Sequence, residues 1–265
     1  MGLLLRQTER IYQMSILPPN KPQKARKVPR NFFIFGDTMS GKSYLAERFP
    51  DPLFINTDGN SEMNTAPSIQ IRNERDAQGK LTKSVIDALD EIILALKNEN
   101  HGFKTVVIDV IDDLVTMLEQ AICYENDVRA LSDIPYGKGY SSFNSALQEF
   151  VIELKALPLN VVYISRIMQV GEGATTKEVP SLKTKYYNVV NGNCDLVIET
   201  KRVGRNYIRR VTDRRIHYLR TDIDDQSILR VLDNVTGVFD RPTTTTRQKQ
   251  QEIVKNIEQQ EKGED

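Results

Sequence analysis

The chain has few of the residues that build metal centres or disulfide frameworks. Of its 265 residues, only two are cysteine and two are histidine. Cys123 and Cys194 lie far apart in the sequence, and neither His101 nor His217 has a ligand partner near it. A disulfide scaffold needs regularly spaced cysteines, and a zinc site needs closely spaced cysteine and histidine ligands. The sequence therefore argues against both.

Long apolar runs and an excess of charge of one sign are also missing. No run approaches the roughly 20 apolar residues that a membrane helix requires. The opening apolar stretch, Met1–Leu5, is too short for a signal peptide. We therefore expect a cytoplasmic protein with no membrane partner. Because the formal net charge is zero, any binding of nucleic acid must come from local basic surface.

Composition shifts divide the chain into three predicted regions. Residues 1–28 are expected to form a flexible basic leader, because prolines interrupt any helix there. Residues 29–238 carry the apolar runs of a folded domain. Residues 239–265 are mostly polar, which indicates a flexible or partner-dependent helical tail. A further hypothesis places the native start at Met14, so that residues 1–13 are not native.

The leader is basic where it meets the domain. Between Asn20 and Phe35 there is no acidic residue, but there are five basic ones: Lys21, Lys24, Arg26, Lys27 and Arg30. Such a cluster is typical of a solvated leader, and it is also what a nucleic-acid-binding arm needs. Both interpretations stay open.

Short apolar runs alternate with amphipathic stretches through the predicted domain. Four runs have the bulky, uninterrupted pattern of buried parallel strands: Asn31–Phe35, Leu53–Thr57, Thr105–Asp109 and Asn160–Ser165. Apolar residues recur at helical spacing from Val85 to Leu96, and further helices are predicted near 112–131 and 141–157. Strands that alternate with helices predict an α/β fold with a mostly parallel sheet flanked by helices.

Two polar segments are predicted to be loops, Asp133–Tyr140 and Gln169–Asn193. A further strand is expected at Asp195–Lys201. The residues from there to about Leu232 are predicted to form β-hairpins, with a turn at Val203–Asn206. These hairpins are additions at the C-terminal end of the parallel sheet.

A glycine-rich segment follows the first strand and precedes a predicted helix at 42–48. Its spacing, Gly36-x4-Gly41-Lys42-Ser43, is that of a phosphate-binding P-loop. The glycines let backbone N–H groups point at phosphate oxygens, and the helix start adds its positive end. Lys42 supplies a mobile charge to the β- and γ-phosphates, and Ser43 offers a hydroxyl to Mg²⁺. We expect nine consecutive residues to bind the nucleotide: Gly36, Asp37, Thr38, Met39, Ser40, Gly41, Lys42, Ser43 and Tyr44.

Acidic residues at the ends of two other strands complete the predicted site. Asp109 ends the third apolar run, where a P-loop ATPase needs a carboxylate to hold Mg²⁺ or its water. It could also cap the next helix, but beside the P-loop the metal role is favoured. Asp58 follows the second run and is placed to face the γ-phosphate, because the carboxyl ends of parallel strands line one crevice. A turn role before Gly59 fits Asp58 equally well. The predicted catalytic residues are Lys42, Asp58 and Asp109, with Ser43 and Asp109 holding Mg²⁺.

The fourth strand ends in two polar residues, Ser165 and Arg166. We expect this strand to lie beside the P-loop strand. In that position Ser165 and Arg166 suit a sensor of the γ-phosphate, and a plain exposed strand end is the alternative.

With these motifs in place, the chain resembles the RecA-like P-loop ATPases. It looks most like the phage nucleotide-binding AAA-domain proteins that include the Sak group of single-strand annealing ATPases. The resemblance covers roughly Pro29–Val238, and it rests on the P-loop, on the strand ends and on the YGKGY segment Tyr136–Tyr140. Asp58 stands where RecA-like proteins carry a catalytic glutamate, and this shorter carboxylate puts fast hydrolysis in doubt. Many relatives have a histidine where this chain has Arg166.

In RecA-like proteins DNA lies along two mobile loops that follow the third and fourth core strands. The resemblance places these loops at Ser132–Ser141 and Gln169–Asn193. Lysines neutralise phosphates and tyrosines stack on unpaired bases, so both segments suit single-stranded DNA; ordinary surface loops are the alternative. The predicted DNA-binding residues are Lys138, Tyr140, Lys177, Lys183, Lys185 and Tyr186.

The function that the resemblance implies is an ATP- and Mg²⁺-dependent ATPase that binds single-stranded DNA in phage recombination by annealing, or in replication. It further implies a homo-oligomer, ring or filament, in the host cytoplasm, with a single-strand-binding protein as a further partner. RecA-like ATPases complete their site with a basic residue of a neighbouring subunit, for which the sequence offers Lys201, Arg202, Arg205, Arg209, Arg210, Arg214 and Arg215. Two alternatives remain: a helicase-loader or packaging-type motor ATPase, and a non-catalytic, nucleotide-dependent assembly factor.

Overall fold

The computed structural model describes residues 19–22, 28–59, 65–171, 176–243 and 245–262. The proposed start at Met14 and most of the basic leader lie outside these residues. The strands are β1 (Asn31–Gly36), β2 (Pro52–Asn56), β3 (Ser68–Gln70), β4 (Glu74–Arg75), β5 (Leu81–Lys83), β6 (Thr105–Asp109), β7 (Asn160–Ser165), β8 (Ile167–Val170), β9 (Lys177–Pro180), β10 (Leu196–Val203) and β11 (Asn206–Arg214). The helices are α1 (Lys42–Ala46), α2 (Val85–Asn98), α3 (Ile111–Glu125), α4 (Lys138–Ala156), α5 (Thr184–Asn191), α6 (Gln226–Asp233) and α7 (Arg247–Lys262).

The central sheet has seven strands in the order β11-β10-β1-β7-β6-β2-β3. All neighbours in it run parallel except β10 and β11, which form an antiparallel hairpin. Two further antiparallel pairs, β4 with β5 and β8 with β9, lie outside this sheet. The predicted fold class is therefore confirmed, as is the expected place of β7 beside β1.

Buried residues lie on both faces of the sheet, which explains why its central strands are uninterrupted apolar runs. One face packs against α2, α3, α4 and α5. The other packs against α1 and α6. Successive side chains of a strand point to opposite faces, so Phe33 and Phe35 belong to the first core, and Phe32 and Ile34 to the second. The functional strand ends thus project from a sheet that is covered on both sides.

The two segments predicted as long loops are largely ordered elements, so that prediction was wrong. The first, Asp133–Tyr140, begins at the end of the 3-10 turn Leu131–Asp133 and contains a second 3-10 turn, Pro135–Gly137, and the beginning of α4. Gly139 lets α4 approach the first turn closely, because a Cβ there would lie 2.4 Å from the carbonyl oxygen of Leu131. The second segment contains the whole of β9 and α5.

The prediction of β-hairpins up to Leu232 was also wrong at its C-terminal end. The turn at Val203–Asn206 does join β10 to β11, but α6 follows. The carboxylate of Asp225 accepts hydrogen bonds from the backbone N–H groups of Ser227 and Ile228, which caps α6. The apolar residues of α6 that suggested a strand are buried on one helix face instead.

Among the described residues, no helix has both the length and the apolar character needed to cross a membrane.

Candidate functional site

The predicted P-loop connects β1 to α1 through a tight turn that two glycines make possible. Gly41 precedes α1 with φ 86°, in the left-handed region that other residues rarely adopt. Gly36 lies against β10, where a Cβ would come within 2.1 Å of the carbonyl oxygen of Thr200. A side chain at either position would therefore deform the turn.

A buried hydroxyl pair joins the P-loop to β10. The hydroxyls of Ser40 and Thr200 lie 2.6 Å apart, and both residues are about 1% exposed. The Thr200 hydroxyl also lies 3.3 Å from the carbonyl oxygen of Phe35. Thr200 therefore helps to fix the loop, and the sequence did not point to it because it lies far along the chain in an ordinary strand.

The ammonium group of Lys42 lies inside the P-loop. It donates hydrogen bonds to the carbonyl oxygens of Gly36 at 2.8 Å and Asp37 at 2.7 Å. Burial lowers the pKa of Lys42, and the nearby Asp109 carboxylate acts against that shift. A phosphate group would supply the negative charge that this buried cation needs.

Ser43 and Asp109, predicted as the metal-binding pair, are brought together. The Ser43 hydroxyl donates a hydrogen bond to Oδ2 of Asp109 at 2.7 Å. Burial raises the pKa of Asp109, because the ionised carboxylate has lost most of its water, while the bond from Ser43 works in the other direction. The carboxylate and the hydroxyl thus form a pair of oxygen ligands beside the buried ammonium of Lys42.

The end of β2 is tied to the end of β6. The backbone N–H of Thr57 donates to the carbonyl oxygen of Asp109, and its hydroxyl accepts from the N–H of Val110, both at 3.0 Å. The preceding residue, Asn56, is 1% exposed, and its amide oxygen and nitrogen have no hydrogen-bond partner. Neither residue was identified from the sequence, although both directly precede the predicted catalytic Asp58.

Asp58 is exposed at the same edge of the sheet. Its charge is close enough to raise the pKa values of both Asp109 and Arg166. This position fits a group that faces the γ-phosphate, and Asp58 also keeps its place in the turn before Gly59, so both interpretations of Asp58 are compatible with the fold.

The two predicted sensor residues are held by the first turn of α3. The Ser165 hydroxyl lies 3.0 Å from Oδ1 of Asp112, and the backbone N–H of Arg166 donates to Oδ2 of the same carboxylate at 3.0 Å. The Arg166 guanidinium forms two hydrogen bonds to Asp113, of 2.6 and 2.7 Å. The bond to Asp113 raises the pKa of Arg166. A strand end with this many partners is more than a plain exposed terminus.

On the other side of β1, aromatic and basic side chains flank the P-loop. A Cβ at Gly41 would lie 3.3 Å from the ring of Tyr207, which is 52% exposed. The Arg48 guanidinium stacks on the Tyr44 ring, 4.3 Å from its centroid, and donates a hydrogen bond to the Tyr44 hydroxyl. The Arg209 guanidinium lies 5.9 Å from the centroid of the same ring. Burial and the neighbouring Arg48 lower the pKa of Arg209, whose Nε has no partner. The P-loop pattern in the sequence pointed to Tyr44 but not to Tyr207, which lies far along the chain on β11.

Most of the basic residues that were candidates to complete the ATP site of a neighbouring subunit already have partners within the chain. Lys201 pairs with Glu178 and Arg210 with Glu199. Arg214 and Arg215 donate to backbone carbonyl oxygens, and so does Arg202. Arg205 is exposed at the tip of the β10–β11 hairpin, where it forms no ion pair with the described part of the chain.

The residues predicted to contact DNA lie partly on the surface and partly in the core. The exposed ones are Lys138, Tyr140, Lys177, Lys183 and Lys185. Tyr186 is only 8% exposed, because its ring packs edge-on against Phe143 and its hydroxyl lies 3.3 Å from Glu119. Little of the Tyr186 ring is therefore free to stack on a base, although the residue lines the same cleft as Tyr140 and Lys183. Tyr140 and Lys183, from the two separate segments, line one cleft of about 600 Å³ that also contains Arg129 and Glu119.

The residues at the P-loop fit a triphosphate with Mg²⁺. This ion typically uses one or two protein oxygens together with phosphate oxygens and waters, and Ser43 and Asp109 supply such a donor set. The buried ammonium of Lys42 and the unpaired carboxamide of Asn56 would gain partners from such a ligand. Gly36 and Gly41 let the turn pack closely against Thr200 and Tyr207, which fixes the backbone of the loop.

Comparison with known proteins identifies a family for this chain. A family model described as AAA domain matches residues 29–225. No curated protein matches the sequence. The solved structure titled "Crystal structure of the RadB recombinase" has 13% sequence identity and a TM-score of 0.40, over 71% of this chain and 83% of that chain. Because the family model spans well over half of its residues, the chain belongs to the AAA-domain family.

Proposed function

We propose that this protein is a RecA-like ATPase that binds ATP and Mg²⁺ and acts on single-stranded DNA in phage recombination, by annealing, or in phage replication. The observation that carries the ATP-binding part of the proposal is the contact of 2.7 Å between Ser43 and Asp109, whose charge also acts on the buried Lys42 ammonium. A cation, a hydroxyl and a carboxylate at the mouth of a glycine turn match what a metal-bound triphosphate needs.

Each residue of the proposed site has one task. Backbone N–H groups of the P-loop and the Lys42 ammonium bind the β- and γ-phosphates. Ser43 and Asp109 hold Mg²⁺, which when bound neutralises charge on the phosphates. Asp58 orients and deprotonates the attacking water, and Arg166, positioned by Asp113, stabilises charge on the γ-phosphate. Because aspartate is shorter than the glutamate of RecA-like proteins, we expect slow hydrolysis.

The strand order supports a direction for the bound nucleotide. Asp109 and Arg166 lie on the side of β1 that carries β7 and β6, so the γ-phosphate points there. The nucleoside then leaves the P-loop towards β10 and β11, where the exposed Tyr207 ring lies over Gly41. An aromatic ring provides a stacking face for a base, and Arg209 has an unpaired donor for an acceptor atom of the base or ribose.

Single-stranded DNA is proposed to follow the cleft between α3, α4 and α5. Tyr140 provides an exposed ring there and Lys183 a cation, the two groups that bind unpaired strands without sequence preference. A neighbouring subunit is proposed to contribute Arg205, the exposed guanidinium at the tip of the β10–β11 hairpin. ATP bound between subunits would then favour the oligomer that holds DNA.

The proposal is tested by ATP binding with Lys42→Ala, measured by equilibrium dialysis with Mg²⁺. Loss of a buried charge that contacts phosphates should abolish measurable binding, and with it ATP-dependent binding of DNA. Lys80→Ala, at an exposed lysine in the turn between β4 and β5, is the matched control and should bind ATP as the wild type does. Unchanged ATP affinity in folded Lys42→Ala protein would contradict the proposal. Directional unwinding of DNA would instead favour a helicase-loader or packaging-type motor ATPase. ATP binding without any affinity for DNA at low salt would favour a non-catalytic assembly factor.

A further inference from the structure

Asn56 has a buried carboxamide that the folded chain leaves without hydrogen bonds. The residue is 1% exposed, and neither its amide oxygen nor its amide nitrogen has a partner. Water satisfies both atoms in the unfolded chain, so burying them unpaired opposes folding. Native proteins pair nearly all such groups, and an exception calls for an explanation. A structural asparagine would bond to nearby backbone, which Asn56 does not.

The position of Asn56 places its side chain on the face of the sheet that carries Asp109. Asn56 is the last residue of β2 and pairs in parallel register with Asp109, the last residue of β6. Residues paired in this way point to the same face. The preceding residue on that face of β2 is Phe54, which belongs to the core beside α1, as does Val107 of β6. The carboxamide is therefore on the side from which Ser43 of α1 reaches Asp109.

We propose that Asn56 is a positioning residue for the magnesium site, and this deepens the proposed ATPase function and rests on it. In the ATP-bound protein, its amide oxygen accepts a hydrogen bond from a water of the metal's hydration shell, beside Asp109. Mg²⁺ gives up its waters reluctantly, so protein groups around it often contact the ion through water. The amide nitrogen donates to an oxygen of the Asp109 carboxylate.

This role explains why the protein keeps the Asn56 carboxamide, although burying it without hydrogen bonds opposes folding. An asparagine offers an acceptor to metal-bound water and a donor to an anion in one small neutral side chain. A carboxylate at this position would add a second buried negative charge beside Asp109, whose own pKa burial already raises. A leucine of similar size would fill the space but offer no hydrogen bond.

The test compares Asn56→Leu and Asn56→Asp with the wild type by two measurements. One is thermal unfolding without nucleotide, and the other is ATP affinity with Mg²⁺ and with EDTA. Gln70→Leu is the matched control, because Gln70 pairs with Asn56 on the neighbouring strand β3 but is exposed. It should leave both measurements unchanged.

We expect Asn56→Leu to be at least as stable as the wild type, since no hydrogen bond is lost. Its ATP affinity in EDTA should be unchanged, while the enhancement by Mg²⁺ falls about tenfold or more, as is typical when an outer-shell partner of a metal is removed. Asn56→Asp keeps the acceptor, so it should retain the enhancement and lose stability.

Two outcomes overturn this inference alone: an Asn56→Leu protein that is less stable than the wild type without nucleotide, or one that keeps the full Mg²⁺ enhancement. Failure of Asn56→Leu to fold is the extreme case of reduced stability and counts as the first outcome. Loss of the enhancement in Asn56→Asp also overturns the inference. A wild type whose ATP affinity does not respond to Mg²⁺ overturns the proposed function as well.

Discussion

The hydroxyl of Ser43 and the carboxylate of Asp109 meet at 2.7 Å, although 66 residues separate them in the chain. Two parallel strands, β1 and β6, with β7 between them, bring the two groups to one edge of the sheet. The burial that suits Asp109 to its proposed role as a metal ligand also makes its negative charge costly when no cation is near, because desolvation raises its pKa. The ionised Asp109 carboxylate is therefore expected to favour binding of a cation but to lower the stability of the protein when no cation is bound.

Asp109→Asn should consequently stabilise the nucleotide-free protein at neutral pH and weaken its binding of Mg²⁺ with ATP. Since the folded-state pKa of Asp109 is raised, the folded protein binds this proton more readily than the unfolded chain. The wild type therefore loses stability as pH rises through that pKa, and the asparagine variant does not. The difference in melting temperature, measured from pH 4 to pH 8, should be small at acid pH and grow as pH rises. A difference that is independent of pH would contradict this account of Asp109.

Tyr207→Ala should weaken the binding of ATP but not of inorganic tripolyphosphate. The ring lies over Gly41 and is proposed to stack on the base, and removing such a stacking partner typically lowers affinity about tenfold or more. Tyr207→Phe keeps the ring and should bind ATP normally. Tyr136→Ala removes an exposed ring outside the P-loop and serves as the control. Equal loss for ATP and tripolyphosphate would show that Tyr207 acts on the P-loop itself.

Lys138→Ala combined with Lys183→Ala should reduce affinity for single-stranded DNA uniformly across sequences. Both side chains are exposed at the helix starts that border the proposed DNA cleft. Each lost phosphate contact should also reduce the slope of log affinity against log salt by about 0.7. Fluorescence anisotropy with labelled oligonucleotides at several salt concentrations measures both effects. Lys80→Ala is again the control, and an unchanged slope in the double variant would place DNA elsewhere.

Local patterns were sufficient to predict the parallel core. Thr105–Asp109 and Asn160–Ser165 are strands with the predicted bounds, because a strand buried on both faces must be apolar throughout. The amphipathic periodicity of α2 likewise predicted its position within two residues of its C-terminal end. The roles assigned to the P-loop residues, Asp58 and Asp109 stay predictions, as do the three regions of the chain.

Polar composition was a poor guide between these elements. Gln169–Asn193 looks like a loop because its apolar residues are few, yet Tyr186 and Val190 lie on one face of α5 and are buried. Lys183, at the N-cap of this short helix, and Lys185 within it stay exposed. A helix that needs only one or two buried residues per turn leaves little periodic signal in the sequence.

By itself, the sequence determined the glycine-containing turn and the strands around it, since glycine spacing and uninterrupted apolar runs are local properties. Only the tertiary structure decided which distant residues complete the site: Thr200 against Gly36, Tyr207 over Gly41, and Asn56 beside Asp109. These neighbours come from the order and register of the strands in the central sheet. Strand order and register depend on how the whole chain packs, so no short stretch of sequence contains them.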